Sequence, residues 1–339
     1  MTKIADKLPS ITDEQWQKVN KFNREITEEF LAESTQLSPK TLRQYLSALR
    51  IFFWWVYEYC EDKSILEFKS RDFLKYQNFF VRREMSPAGV RLKRAAISSL
   101  NGYIITYYED QYPTFKNFIT KKITAPPRSD LHEKKPMNEE EWNVLIKNLE
   151  EREQWQKIAY LKFTYSAGCR REESRQLLKT DIIDVKPIIK EKKIKNSEGI
   201  EETKTIMFYQ TGEKRCKGKG VKGEVRKLQF NQEALDAINK WLEVRGEDDC
   251  PYIFISKYGG EIRQAGEGLF NDWCQNDFAK VVKRRVHPHQ LREQRATNMV
   301  LYENKDIRSA QALLGHKSST TTEIYVIRDG SEDVEDAFS

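Results

Sequence analysis

The stretch LLGHKSSTTTEIYV, Leu313–Val326, decides how the rest of the chain is read. It sets a Gly-His pair after an apolar helix end, then a polar Ser/Thr run, then one tyrosine. Gly315 suits the left-handed residue that closes a helix, and the Ser/Thr run suits a turn followed by the cap of the next helix. Taken alone, this is a helix stop and a helix start. Its chemistry depends on what lies upstream. Histidine is rare here, four in 339 residues, and His287, His289 and His316 fall in one short region.

Three other pieces belong with it. In SAGCRREES, Ser166–Ser174, a Gly-containing turn puts Arg170 at the start of a helix with Glu173 one turn in. KRCKGKGVKGEVRK, Lys214–Lys227, is a basic, Gly-rich hairpin tip between two strands. In HPHQLREQR, His287–Arg295, His289 and Arg292 are three apart and can face one way from a helix start. Each piece has an ordinary structural reading: a capping arginine, a solvated turn, a surface His/Arg pair, a core tyrosine. Short motifs match often by accident. Their joint occurrence, in this order, is what a phosphodiester needs if a protein hydroxyl attacks it. Arginines offer forked donors to the non-bridging oxygens, histidines donate to them or manage protons, a lysine protonates the leaving oxygen, and the tyrosine is the nucleophile. No Asp/Glu cluster suited to Mg²⁺ stands out, so a covalent route without metal or cofactor is favoured over two-metal hydrolysis.

At these residues the sequence resembles the tyrosine recombinase (phage integrase) family, from about residue 28 to residue 328. HQLREQRATNMV is similar to that family's His-x-Leu-Arg helix, LLGHKSSTTTEIYV to its Leu-Gly-His and Thr-x-x-Tyr segment, and AGCRREE to its first-arginine box. The resemblance implies Arg170, Lys219, His289, Arg292, His316 and Tyr325 as the catalytic set, with Glu173 as the acidic companion of Arg170. It implies a 3′-phosphotyrosine intermediate and a homo-tetramer on double-stranded DNA carrying a specific recombination site. An accessory DNA-bending or directionality protein is a further expected partner. There are departures. Ala167 stands where a hydroxyl residue is frequent, Arg171 and Glu172 follow Arg170, and Glu293 follows Arg292. A charged insertion spans roughly Lys186–Lys204. The lysine stays open: Lys219 within GKG matches best, with Lys214, Lys217 and Lys222 as alternatives.

The rest of the chain fits. Helical spacing and caps predict helices over Ser10–Glu33, Ser38–Glu61, Ser70–Arg83 and from Ser86, then Glu139–Glu151 and Glu153–Ser166. A strand-rich section runs from about Asp184 to Phe230, and helices return at Gln232–Val244, Gly266–Lys283, Arg292–Glu303 and Ile307–Leu314. The fold class is therefore mainly α with a small β-sheet (α+β). The resemblance makes the N-terminal half a helical, SAM-like core-binding domain and the C-terminal half the catalytic domain. The expected organisation is an N-terminal extension (1–22), a core-binding domain (23–120), an exposed linker rich in Pro and charge (121–136), a catalytic domain (137–328) and an acidic tail (329–339). Ser38–Pro39 and Ser86–Pro87 open a weak pseudo-repeat, two helices with similar jobs. Lys40, Arg43, Arg91 and Lys93 on them are the expected DNA contacts.

Composition sets the outer bounds. A net charge of +6 favours a polyanionic partner only weakly. No apolar run is long enough to cross a membrane and the N-terminus has no signal-peptide core, so a cytoplasmic, nucleoid-associated protein is expected. Five widely spaced cysteines without a CxxC pair point to reduced thiols. Two rival readings are a DNA-binding regulator that keeps the fold without recombining, and a type IB topoisomerase, which shares the chemistry.

Overall fold

The computed structural model describes residues 10–127, 136–195, 201–218, 220 and 223–316. The chain divides into two compact units, one running to residue 132 and one made of the strands and helices from residue 133 on. It is mainly helical with small antiparallel sheets.

The first unit holds α1 (Asp13–Lys18), α2 (Lys21–Glu33), α3 (Pro39–Tyr59), α4 (Ser70–Arg82) and α5 (Pro87–Tyr107). The single helix expected over Ser10–Glu33 is two. Val19 is extended and Asn20 starts α2 by capping Asn23 N–H at 3.3 Å. The break is fixed from elsewhere, because Asn20 N–H donates to Asp62 Oδ1 at 2.9 Å. Ser38 and Ser86 do the same job at the starts of α3 and α5. Each hydroxyl accepts an N–H at 3.2 Å, and Pro39 and Pro87 occupy the first turn, where no amide hydrogen is needed. The core between α3, α4 and α5 is aromatic. Phe52 meets Tyr76 edge-on with ring centres 5.0 Å apart and also touches Phe53 and Phe68. Burying each such ring contributes about 1.5–3 kcal/mol.

The segment read as an exposed linker is bound at its start. Ile123 is buried in this core. Arg94 donates to Ile123 O at 2.8 Å, Gln77 to Thr124 O at 2.9 Å and Arg91 to Pro126 O at 3.0 Å. Residues 128–135 lie outside the described set.

The second unit opens with α6 (Glu139–Glu151), which carries a capping box between Asn138 and Glu141. Next come α7 (Trp155–Ala167) and the short α8 (Arg171–Arg175). α7 is buried nearly all round and packs on the later elements of this unit. A three-stranded antiparallel sheet follows in the order β1 (Ile188–Lys195), β2 (Glu201–Lys217), β3 (Glu224–Phe230). The charged insertion thus contains all of β1 and the start of β2, apart from residues 196–200, which are not described. α9 (Gln232–Arg245) leads to a hairpin of β4 (Ile255–Tyr258) and β5 (Glu261–Gln264), closed by Gly259–Gly260 and absent from the sequence-based expectation.

The helix expected over Gly266–Lys283 is shorter and interrupted: α10 (Leu269–Asp272), a π-helical stretch Trp273–Phe278, and α11 (Ala279–Val281). α12 (Pro288–Thr297) begins earlier than expected, with His287 before it and Pro288 in its first turn, and runs into π-helical Asn298–Tyr302. α13 (Ile307–Leu314) has the predicted bounds. Cys60, Cys169, Cys216, Cys250 and Cys274 are all free thiols. Among the described residues no helix is long and apolar enough to cross a membrane.

Candidate active site

The site is assembled around the turn that ends α7. Gly168 adopts φ +53°, and a Cβ there would stand 2.8 Å from Leu314 Cδ2. Only glycine fits both the backbone and the contact. The chain then turns into α8 with Arg170 at its cap. Glu173, fully buried, reaches back to Arg170 N–H at 2.7 Å and to Arg170 Nη1 at 3.0 Å. Burial pushes the Glu173 carboxyl up, but its hydrogen bonds and charge interactions with Arg226 and then Arg170 outweigh this and hold it below the usual carboxylate range.

Arg292, on α12, is also fully buried. One guanidinium nitrogen donates to Gly168 O. The other donates to Leu314 O at 2.6 Å and lies 2.7 Å from His316 Nε2. Arg292 therefore ties the turn after α7 to the end of α13. A guanidinium has no lone pair to offer, so Nε2 is the acceptor and the neutral ring carries its proton on Nδ1. His316 is 8% exposed. Burial, then the charges of Arg292, Arg170 and Arg226 and the nearby His289, hold its pKa down at about 4. It is neutral at pH 7, with Nε2 held by Arg292 and the ring proton on Nδ1.

Four of the residues picked out from the sequence thus come together: Arg170, His289, Arg292 and His316, with Glu173 beneath Arg170. His289 lies in the first turn of α12 on its exposed side. Tyr325 and Lys219 lie outside the described residues, as do Lys222, the acidic tail 329–339 and the side chain of Lys217. Of the hairpin lysines only Lys214 can be placed. It is buried and bonds Asp181 at 2.6 Å, while Asp181 also accepts the N–H groups of Leu178 and Gly212. The unusual neighbour Arg171 pairs with Glu172, which also holds Arg175.

One member of the site was not anticipated. Arg226, on β3, donates to Glu173 at 2.7 Å and to Leu313 O at 2.6 Å. The signal was available: Arg226 alternates with Leu228 and Phe230, both buried, and a cation in register with inward-facing residues needs a buried partner. In the first unit, Lys40 and Arg43 are exposed on the first turns of α3. Arg91 donates to Pro126 O. Lys93 lies over the Phe80 ring at 5.3 Å, and burial lowers its pKa.

Comparisons with known proteins point the same way. The model of the phage integrase family matches residues 135–331. The SPbeta prophage-derived recombinase-like protein YomM of Bacillus subtilis (strain 168) is 32% identical, over 98% of this chain and 96% of its own. Tyrosine recombinase XerC of Escherichia coli O157:H7 is 27% identical over 87% of this chain and 88% of its own. Among solved structures, the Tn1549 transposon integrase in complex with circular intermediate DNA aligns over 93% of this chain and 98% of its own, with a TM-score of 0.61 and 15% identity. A lambda integrase tetramer bound to a Holliday junction aligns over 94% and 78%, with a TM-score of 0.57 and 18% identity. At those identities the two structures speak to the fold alone.

Proposed function

The chain belongs to the phage integrase family of tyrosine recombinases, and on that footing we propose that it is a site-specific DNA recombinase that cuts and rejoins strands through a 3′-phosphotyrosine. The observation that carries this reading is the convergence of Arg170, Arg292 and His316 at the Leu-Gly-His corner, nine residues before Tyr325. Tyr325 is the nucleophile. Its oxygen attacks the scissile phosphorus, the bond to the 5′-oxygen breaks, and Lys219 gives that oxygen a proton. Arg170 and Arg292 offset the negative charge that grows on the non-bridging oxygens, and Glu173 keeps Arg170 in place. His316, neutral with its proton on Nδ1, donates that N–H to a non-bridging oxygen, and His289 assists the transfer of the tyrosine proton. The phosphotyrosine conserves the energy of the broken bond, so a 5′-hydroxyl from a partner strand reverses the step without a nucleotide cofactor.

The same reading makes the first unit the core-binding domain, with Lys40 and Arg43 of α3 on the phosphates, and the protein a tetramer on two copies of a specific DNA site. The prophage origin of the YomM relative supports integration or excision of a mobile element as the setting. The test is a nicked suicide duplex carrying the attachment site. The wild-type chain should become attached to DNA in a form that survives denaturation, and Tyr325→Phe should bind the duplex equally well with no adduct. An adduct formed by Tyr325→Phe sinks the assignment, and a wild-type chain that binds specifically without any adduct favours a regulator.

A further inference from the structure

We propose that Arg226 is a positioning residue for this site, holding the corner that carries His316 against the helix start that carries Arg170. The proposal rests on the recombinase reading for its catalytic consequence and on geometry alone for the corner itself.

An α-helix leaves its last four carbonyls without partners inside the helix. α13 ends on Gly315 at φ +65°. Gly315 N–H bonds Ala312 O at 3.1 Å and His316 N–H bonds Gln311 O at 3.1 Å, the paired bonds of a glycine-terminated helix. Two carbonyls remain, and both are taken by arginines from distant segments. Arg292 takes Leu314 O, and Arg226 takes Leu313 O at 2.6 Å. His316 is therefore the first residue beyond a helix end whose every carbonyl is occupied.

Arg226 is fitted to this end. A Cβ on Gly315 would stand 3.0 Å from both Cδ and Nη1 of Arg226, so the arginine side chain fills the space a side chain at 315 would need. Its other terminal nitrogen reaches Glu173 Oε2 at 2.7 Å, the oxygen that also accepts Arg170 N–H. One planar side chain thus bridges the box that presents Arg170 and the corner that presents His316. A lysine in its place carries the charge but has one ammonium, which cannot reach both acceptors in the same geometry. Arg226 also belongs to the charged groups around the His316 ring, together with Arg292 and His289 from α12 and Arg170 from the cap of α8.

The experiment compares Arg226→Ala and Arg226→Lys in the full chain. Single-turnover cleavage of a suicide duplex should fall roughly a hundredfold in both variants, the loss that an ångström of misplacement produces, with DNA affinity little changed. The His316 ring, assigned by its disappearance in His316→Asn, is titrated by NMR. In Arg226→Ala its pKa should rise by about one unit as a neighbouring cation is lost, and in Arg226→Lys it should stay near the wild-type value. Hydrogen exchange at the Gly315 and His316 amides should quicken in both. Cleavage within about twofold of wild type in either variant overturns the proposal. So does an unchanged His316 titration in Arg226→Ala, which is the result expected of a residue that only stabilises the fold. If Arg226→Ala does not fold, Arg226→Lys decides through its rate and amide exchange. If the wild-type chain itself forms no adduct, the recombinase reading has failed, and titration and exchange still judge the corner.

Discussion

Replacing Lys214 by Met takes away the ammonium that faces Asp181 where water scarcely reaches: the two side chains are 4% and 5% exposed and 2.6 Å apart. Removing one partner of a buried ion pair costs about 3–5 kcal/mol, because the other charge stays behind without compensation. Asp181 keeps two backbone donors, Leu178 N–H at 2.7 Å and Gly212 N–H at 2.8 Å, which places the loss toward the lower end, about 3 kcal/mol. For a unit of this size that corresponds to roughly 6–12 °C in Tm. The double variant Lys214→Met, Asp181→Asn should recover part of it. The assay has two arms: thermal unfolding without DNA, and cleavage of duplexes whose leaving 5′-oxygen is replaced by sulfur. A thiol leaving group needs little protonation, so it rescues the loss of a general acid and nothing else. Lys214→Met should melt early and gain nothing special from sulfur. Lys219→Ala should melt normally and recover most of its lost rate. A Lys214→Met protein that melts like wild type refutes the structural role of this lysine, and one whose cleavage is restored by sulfur moves the general acid to it.

The low pKa of His316, about 4 against an ordinary 6.5, means the unfolded chain binds that proton more tightly than the folded one. The contribution to stability is complete above about pH 6.5 and is lost as pH falls toward 4, amounting to about 1–2 kcal/mol after solvent screening. His316→Asn should flatten the stability profile across that window, and an unchanged slope in urea titrations would show that the ring is not the source. Gly168→Ala forces a side chain into a left-handed backbone and onto Leu314, at a cost of about 2–5 kcal/mol; a loss below about 1 kcal/mol in denaturant unfolding would contradict the contact. Lys40→Ala and Arg43→Ala should each lower the slope of log affinity against log salt by about one, and an unaltered slope would remove α3 from the DNA interface.

What could be read from the sequence was what its neighbours decide. The Ser-Pro starts of α3 and α5 and the Gly315 stop are local chemistry, and the elements stand where that chemistry puts them. The approach of Arg170, Arg292 and His316 was legible because histidine is scarce and the order of the motifs is informative. What escaped was settled at a distance. The break before α2 depends on Asp62, the burial of Lys214 on Asp181, and Arg226 owes its place to Glu173 and Leu313. The β4–β5 hairpin is different. Its Gly-Gly turn was in plain view, but the flanking strands of four residues are too short for alternation to stand out.

The helix end before His316 has a bearing on how such a protein is made. Its last two carbonyls are capped by arginines whose own anchors lie at residues 168 and 173, so the local turn alone leaves the corner incomplete. It comes last in the order of synthesis and closes only when Gly168, Glu173, Arg226 and Arg292 already hold their native places. A nascent or half-folded chain can carry every one of these side chains, yet cannot bring them together. Completion of this corner is thereby tied to completion of the fold of the second unit, through the packing of the site itself.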